Sequence, residues 1–247
     1  MFQKYFNRFE IKYQISIPER NNLIEQIGPF MELDPHIKKG YNNYEVRSIY
    51  YDSPFVNSYF EKVNGIRNRI KLRIRYYPDF QKDKGELVFI ELKKKYNENV
   101  AKSRVIVPFE KAFLILNDES PEAKEFYKIA SKQDKFSLKE IWYQYKRYHL
   151  QPISVVCYHR QPFQDKLTKR FRITFDANVK VRDYNFDLHI GGGSKYVVPP
   201  HICVMEIKFT NFIPNWAIKI VQRNNIFQEK VSKFANGLEK LKIFSVI

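Results

Sequence analysis

Lys71-Leu72-Arg73-Ile74-Arg75-Tyr76-Tyr77 alternates cation with apolar residue through three periods. Successive side chains of a strand point to opposite faces, so Lys71, Arg73 and Arg75 share one face and Leu72, Ile74 and Tyr76 the other. The design recurs in Val88-Phe89-Ile90-Glu91-Leu92-Lys93-Lys94-Lys95, which aligns Glu91, Lys93 and Lys95 against Val88, Ile90 and Leu92. In Val204-Met205-Glu206-Ile207-Lys208-Phe209 it sets Glu206 and Lys208 against Met205, Ile207 and Phe209. Arg8-Phe9-Glu10-Ile11-Lys12-Tyr13 places Arg8, Glu10 and Lys12 opposite Phe9, Ile11 and Tyr13. A half-buried sheet ordinarily turns polar residues of both signs outward. Here the polar faces are skewed to Arg and Lys, which calls for an anion.

Composition agrees. The 247 residues carry 43 Lys and Arg against 27 Asp and Glu, a formal charge of +16, and 44% of them are hydrophobic. Such a chain has ample material for one core, reads as a single domain over residues 1–247, and selects a polyanionic partner: nucleic acid, anionic lipid or condensed phosphate. No apolar stretch approaches the ~20 residues that span a bilayer, and Met1-Phe2-Gln3-Lys4-Tyr5 lacks the apolar core of a signal peptide. The expectation is a cytoplasmic protein, with a membrane-bound partner left open. Cys157 and Cys203 sit in strand-like apolar runs and read as buried thiols.

Alternation and β-branched or aromatic enrichment predict eight mostly antiparallel strands, at about 7–17, 45–52, 68–77, 86–95, 101–108, 153–162, 169–176 and 202–209. Helices lie between them. Ser53-Pro54 opens one that Gly65 stops, and Ser137-Leu138-Lys139-Glu140 reads as a capping box for another carrying Leu138, Ile141, Trp142, Tyr145 and Tyr148. A last helix from about 227 to 242 carries Phe227, Val231, Phe234 and Leu238 on one stripe, with Lys230 and Lys233 on its flank. Ile190-Gly191-Gly192-Gly193-Ser194 reads as a mobile hairpin loop and lacks the spacing of a phosphate-cradling motif.

Pointed outward, the cationic faces would only make a basic surface. Pointed inward, they need counter-charge, and a closed antiparallel barrel of about eight strands is wide enough for one slender ligand. Helices would then cover its apolar outer face. Two unit charges ~4 Å apart repel by about 4 kcal/mol at an effective dielectric near 20, so an empty cationic tube is strained and a phosphate chain inside it is held tightly. The acids Glu10, Glu91 and Glu206 are the exceptions on these faces; each could ligate Mg²⁺ or Mn²⁺, or neutralise a neighbouring Lys. Arg160, Arg172, Lys102 and Arg104 add cations from further strands.

Together these stretches resemble the vacuolar transporter chaperone (VTC) type of polyphosphate polymerase domain, within the triphosphate tunnel metalloenzyme superfamily. The resemblance is carried nearly end to end by Phe9-Glu10-Ile11-Lys12-Tyr13, Ser48-Ile49-Tyr50-Tyr51-Asp52, Lys71-Leu72-Arg73-Ile74-Arg75, Phe89-Ile90-Glu91-Leu92-Lys93, Tyr158-His159-Arg160, Arg172-Ile173-Thr174-Phe175-Asp176, Met205-Glu206-Ile207-Lys208 and Lys230-Val231-Ser232-Lys233-Phe234. It implies an α+β fold, a tunnel-shaped antiparallel barrel of roughly eight strands with helices outside, and transfer of the γ-phosphoryl of ATP onto polyphosphate, or pyrophosphate, with Mn²⁺ or Mg²⁺. It implies catalytic roles for Lys12, Arg73, Arg75, Lys93, Arg160 and Arg172, substrate contacts from Tyr158, Lys208, Lys230 and Lys233, and metal ligation by Glu206, with Glu10 and Glu91 as further candidates.

Hydrolytic relatives resemble Glu-x-Glu-x-Lys in the first strand, whereas this chain has Arg8-x-Glu10-x-Lys12. Replacing a carboxylate by a cation disfavours a two-metal site that activates water. Phosphoryl transfer needs mainly alignment and charge stabilisation, and the chain offers no Gly-x-Ser-x-Gly and no ligand spacing among His36, His149, His159, His189 and His201. Two alternatives remain: a metal-dependent triphosphatase or nucleoside triphosphatase of the same fold, and a basic nucleic-acid-binding module using some of the 17 Tyr and 21 Phe for stacking. Against the second, the cations alternate within strands, and no nucleic-acid partner is expected.

Overall fold

The computed structural model describes residues 9–80, 85–97 and 99–243. Among the described residues ten strands form: β1 (Phe9–Ser16), β2 (Met31–Leu33), β3 (Tyr44–Asp52), β4 (Asn68–Tyr76), β5 (Leu87–Tyr96), β6 (Asn99–Pro108), β7 (Gln151–Asp165), β8 (Arg172–Arg182), β9 (Lys195–Tyr196) and β10 (Ile202–Phe209). Seven helices accompany them: α1 (Ile17–Ile27), α2 (Asn57–Val63), α3 (Ala112–Ile115), α4 (Pro121–Ile129), α5 (Lys132–Arg147), α6 (Asn215–Arg223) and α7 (Lys233–Leu241). Eight strands follow the order β1-β10-β8-β7-β3-β4-β5-β6, with β2 beside β7 and β9 beside β8. This is the antiparallel α+β architecture that the alternating pattern predicts, strand for strand along the main path.

The order begins at β1 and ends at β6, so hydrogen bonding leaves it open where the sequence suggests a closed ring. At β1 the cause is local. Its inner edge pairs with β10, and its outer edge takes the segment before α7, through the Tyr13–Gln228 bridge and a 2.9 Å bond from the Glu229 N–H to the Lys12 carbonyl.

Contacts group the chain into two compact units. One comprises Met1–Glu45, Cys157–Val181 and Gly192–Ile247, the other Val46–Val156 and Arg182–Gly191. In the first, Tyr13, Ile15, Ile173, Phe175, Met205 and Ile207 turn the apolar faces of β1, β8 and β10 onto Leu23 and Ile27 of α1 and Ala217 of α6. In the second, Leu72, Ile74, Ile90, Leu92, Val105 and Val107 are buried, as are Leu138 and Ile141 on α5. Lys94 donates to Glu140 of α5 at 2.5 Å, and Ser103 donates to the same carboxylate. Burying any of these large aliphatic side chains contributes about 1.5–3 kcal/mol.

Three helix boundaries depart from the sequence reading. Ser137 lies buried inside α5, which starts six residues earlier at Ser131: its hydroxyl accepts the Asp134 N–H at 3.1 Å and donates to the Asp134 carboxylate at 2.7 Å. A Ser-x-x-Glu pattern is a cap only where the backbone turns, and at Ser137 it does not. α2 is held by a buried acid: Asp52 Oδ1 accepts the Ser58 N–H at 2.9 Å and Oδ2 the Tyr59 N–H at 3.1 Å, while Ser53 accepts from Asn57. α7 begins at Lys233 behind the Ser232 cap, leaving Phe227 and Lys230 exposed before it. α1, which follows the 7–17 strand expectation, has no counterpart among the predicted helices, although Ser16 and Glu19 form a reciprocal capping box at its start.

Gly193 lies on the connection from β8 to β9, where a Cβ would stand 2.8 Å from the backbone N, C and O of Val181. Backbone cannot step aside as a side-chain tip can. Gly193→Ala should cost about 1–3 kcal/mol, read as a lower midpoint in urea denaturation; an unchanged midpoint would show that the strand end is free to shift.

Candidate anion-binding site

In the second unit the strand register stacks the predicted cations into rungs. Lys71, Lys93 and Lys102 stand opposite one another across β4, β5 and β6. The next rung is Tyr50, Arg73, Glu91 and Arg104, and the third is Ser48, Arg75, Phe89 and Ile106. Six cations in these three rungs share a face with one acid, Glu91, whose side chain is 1% exposed, and the next rung adds Arg69 and Lys95. Arg73 donates to Glu91 Oε2 through Nε at 2.8 Å and Nη2 at 2.7 Å. Arg104 donates to Oε1 at 2.5 Å, and Lys102 stands 3.8 Å from the same oxygen. Burial opposes the Glu91 charge, but Arg73, Arg75 and Arg104 outweigh it and hold the carboxyl well below its ordinary range.

The arginines are braced from the side. Arg73 Nη1 donates to the Tyr50 hydroxyl at 3.3 Å; Arg75 donates to Ser48 Oγ at 3.2 Å and to the Tyr77 hydroxyl at 3.4 Å; Arg104 lies over the Phe89 ring at 4.5 Å. These partners were missed in the sequence, although Ser48 and Tyr50 have the alternation that puts them on the charged face. Lys71 has its amine driven well below the ordinary lysine range by burial, which Asp52 offsets only in part.

The first unit repeats the theme with two carboxylates. Glu206 accepts from Lys208 at 2.6 Å, Lys233 at 2.7 Å and Arg160 at 3.2 Å, with Lys12 at 3.4 Å. Asp176, fully buried, receives a forked pair from Arg160 at 2.7 Å each and Lys233 at 2.6 Å. Lys12 also pairs with Glu10 at 3.2 Å. The ring of Tyr158 lies 5.3 Å from the Arg160 guanidinium and 5.0 Å from the Lys233 ammonium, so this buried phenol braces cations. The Thr174 hydroxyl, opposite Glu206 in register, is buried without a hydrogen-bond partner in the described structure.

Charge and burial compete differently at each lysine. Burial works against the Lys233 charge, but Asp176 and Glu206 prevail and raise its pKa; Lys12 is raised likewise by Glu206 and Glu10. Lys208 goes the other way: burial, only partly offset by Glu206, lowers it to about 8. Glu206 itself is held well below the usual carboxylate range, burial notwithstanding, by Lys208, Lys233 and Lys12.

The predicted residues therefore fall into groups. Arg73, Arg75, Lys93 and Glu91 share one face, while Lys12, Arg160, Lys208, Lys233 and Glu206 form one cluster with Glu10 at its side. Arg172 stands opposite Lys208 in register, at the edge of this cluster, half-exposed and 3.7 Å from Asp34. Lys230 does not join Lys233 on a helix flank; it precedes the Ser232 cap and is exposed, because α7 starts later than the stripe suggests. His159, next to Arg160 and so on the opposite strand face, is exposed. Arg8 lies outside the described residues.

The fold and these faces define an antiparallel α+β protein that packs Arg and Lys in excess around buried carboxylates. The model of the VTC domain matches residues 7–242, and the chain belongs to that family. No curated protein matches its sequence. Among solved structures, it shares its fold with a proposed adenylate cyclase from Bacillus halodurans, at TM-score 0.51 and 15% identity over 92% of this chain and 95% of that one. The PH1819 protein from Pyrococcus horikoshii aligns at TM-score 0.46 and 15% identity, over 94% of this chain and 99% of that one.

Two measurements probe the site. Lys233→Met strips the shared partner from Asp176 and Glu206 and should lower stability by about 3–5 kcal/mol in urea denaturation, whereas a loss under ~1 kcal/mol would mean that this ammonium is not what holds the carboxylates. A bound polyanion should raise the Lys208 pKa, so at pH 8 the wild type takes up about half a proton more on binding tripolyphosphate than Lys208→Arg does. At pH 6.5, where Lys208 is already charged, the two should agree. Calorimetry in buffers of different ionisation enthalpy reads this directly, and identical proton uptake at both pH values contradicts it.

Proposed function

We infer that this chain is an ATP-dependent polyphosphate polymerase, transferring the γ-phosphoryl of ATP onto a growing phosphate chain in the cytoplasm. The observation that carries the reading is the face of β4, β5 and β6, where six cations meet one buried carboxylate. Membership of the VTC domain family supports it. Such a face is short of negative charge, and a linear polyanion supplies it in repeating units. Arg73 and Arg104, fixed by Glu91, and Arg75, fixed by Ser48 and Tyr77, are preorganised to receive phosphoryl oxygens without reorganising as charge develops. Lys93 and Lys102 add mobile point charges along the neighbouring rung, and Lys71, whose amine burial holds well below the ordinary lysine range, would gain its charge there when phosphate binds. Lys12, Arg160, Lys208 and Lys233 would serve a second stretch of phosphate around Glu206, with Tyr158 positioning two of those cations.

The residues fit a divalent ion in one way. Among the described residues no three His, Cys, Asp or Glu side chains converge as a ready cage, so an ion must take most of its oxygens from the phosphates. Glu206 and Glu10, with the unpartnered Thr174 hydroxyl beside Glu206, are the donors that would hold Mg²⁺ or Mn²⁺; both oxygens of Glu91 are committed to guanidiniums. When bound, the ion would neutralise charge on the transferred phosphoryl. Lysines withdrawn from Glu206 by phosphate would release its oxygens for that role. With fixed cations outnumbering carboxylates, the arrangement favours a second phosphate over water as acceptor.

Incubation with ATP and Mn²⁺ should yield a long-chain product sensitive to exopolyphosphatase. Orthophosphate released from ATP or tripolyphosphate with no chain growth would instead establish a triphosphatase. Arg73→Ala, Arg75→Ala or Lys93→Ala each removes a charge-assisted contact of about 1.5–3 kcal/mol and should slow turnover ten-fold or more. Wild-type rates in all three would remove this face from the active site.

A further inference from the structure

Where α2 lies against β4, beside the Lys71 end of the charged rungs, the second unit exposes an apolar group: Phe55 at 77%, Phe60 at 45%, Val63 at 54% and Ile66 at 49%. Local structure holds it in place. Asp52 and Ser53 bind the N–H groups at the helix start, and Val56 between them adopts φ 54 and ψ 39, a left-handed conformation costly for a β-branched residue. Val56 is buried, and its neighbour Phe55 is left in solvent. At the far end Gly65, at φ +70, closes the helix: its N–H bonds to the Lys62 carbonyl at 3.4 Å and that of Ile66 to the Glu61 carbonyl at 2.9 Å. That closure folds the residue after the glycine back against the last helical turn. Phe60 and Val63, three residues apart, share a face there.

The polar residues bordering this group are mostly basic. Lys62, Arg67 and Arg69 stand against the single acid Glu61, and the Arg69 guanidinium donates to the Ile66 carbonyl, which keeps it beside the apolar residues. Exposed aromatic and aliphatic side chains bordered by Lys and Arg are the chemistry of an anionic lipid surface. We propose that this patch seats the protein on an anionic bilayer, with Phe55, Phe60, Val63 and Ile66 entering the headgroup boundary and Lys62, Arg67 and Arg69 meeting lipid phosphates. A second copy of the chain suits it less well, because pairing two such patches would bring six cations together on a protein already at +16.

Cosedimentation with phosphatidylcholine vesicles, with and without roughly 30 mol% phosphatidylglycerol, tests this at physiological salt. Only the anionic vesicles should bind, and Phe55→Ser/Phe60→Ser/Val63→Ser should weaken binding about ten-fold while leaving the melting curve in place, since the three side chains are exposed. Phe60→Trp provides an independent readout: its emission should shift to the blue, beyond any change in wild type, with anionic vesicles alone. Vesicle affinity unaltered by the triple substitution, a wild type that does not bind vesicles, or a silent Phe60→Trp would each overturn the proposal. So would a solution dimer, or a complex with a soluble acidic protein, that the triple substitution abolishes while vesicle binding persists.

Discussion

A buried carboxylate ringed by more cations than it can neutralise is the constraint on which both units are built. Glu91 is the single acid among six cations, and Glu206 with Asp176 serves four. Two like charges ~4 Å apart repel by about 4 kcal/mol at an effective dielectric near 20, so each acid is needed for the strands to carry their cations at all. The acids do not finish the neutralisation. What they leave is positive charge in fixed geometry, on strands whose opposite faces are anchored by Ile74, Ile90 and Val105 in one unit and Ile173, Phe175 and Met205 in the other.

Arginine and lysine divide the work. A forked contact locks Arg160 to both oxygens of Asp176, Arg73 donates twice to one oxygen of Glu91, and a guanidinium stays charged whatever its surroundings. Lysine is a compact charge whose proton can leave. Lys208 and Lys102, each at about 8, and Lys71, lower than usual, are the amines whose charge is least secure without an anion, because burial exceeds what Glu206, Glu91 and Asp52 return. Lys233 sits between two acids and is secure. The rigid members thus set the geometry, while the marginal lysines gain most when phosphate arrives.

Much of this was legible in the chain. Period-two alternation places Lys71, Arg73 and Arg75 correctly, because a one-residue slip would turn all three onto the apolar face and turn Leu72 and Ile74 onto the charged one. What alternation cannot give is register. Nothing in the local sequence says that Glu91 falls between Arg73 and Arg104, or that Asp176 rather than Glu206 receives the forked contact from Arg160. Helix starts were misplaced where a motif was read without its backbone, at Ser137 and before Lys233, since a cap depends on where the chain turns. Because α7 starts at Lys233, behind the Ser232 cap, Lys230 and Lys233 end in opposite environments although three residues apart.

Strain and burial also separate the two surfaces of the second unit. The charged rungs are organised by side chains that satisfy one another, so their geometry follows from pairing. The apolar residues beside α2 stand largely in solvent, Phe60 with its ring edge-on to Tyr59; they are held out by Val56 in a left-handed conformation and by the Gly65 turn. A small residue such as Gly or Asn at position 56 would relieve the backbone, yet it would forfeit the buried valine side chain that anchors the loop. Anchoring by Val56 and Asp52 therefore fixes an exposed Phe55 instead of allowing it to fold back, and exposure maintained by buried residues in this way is a property of the fold, distinct from a stray apolar residue on a loop.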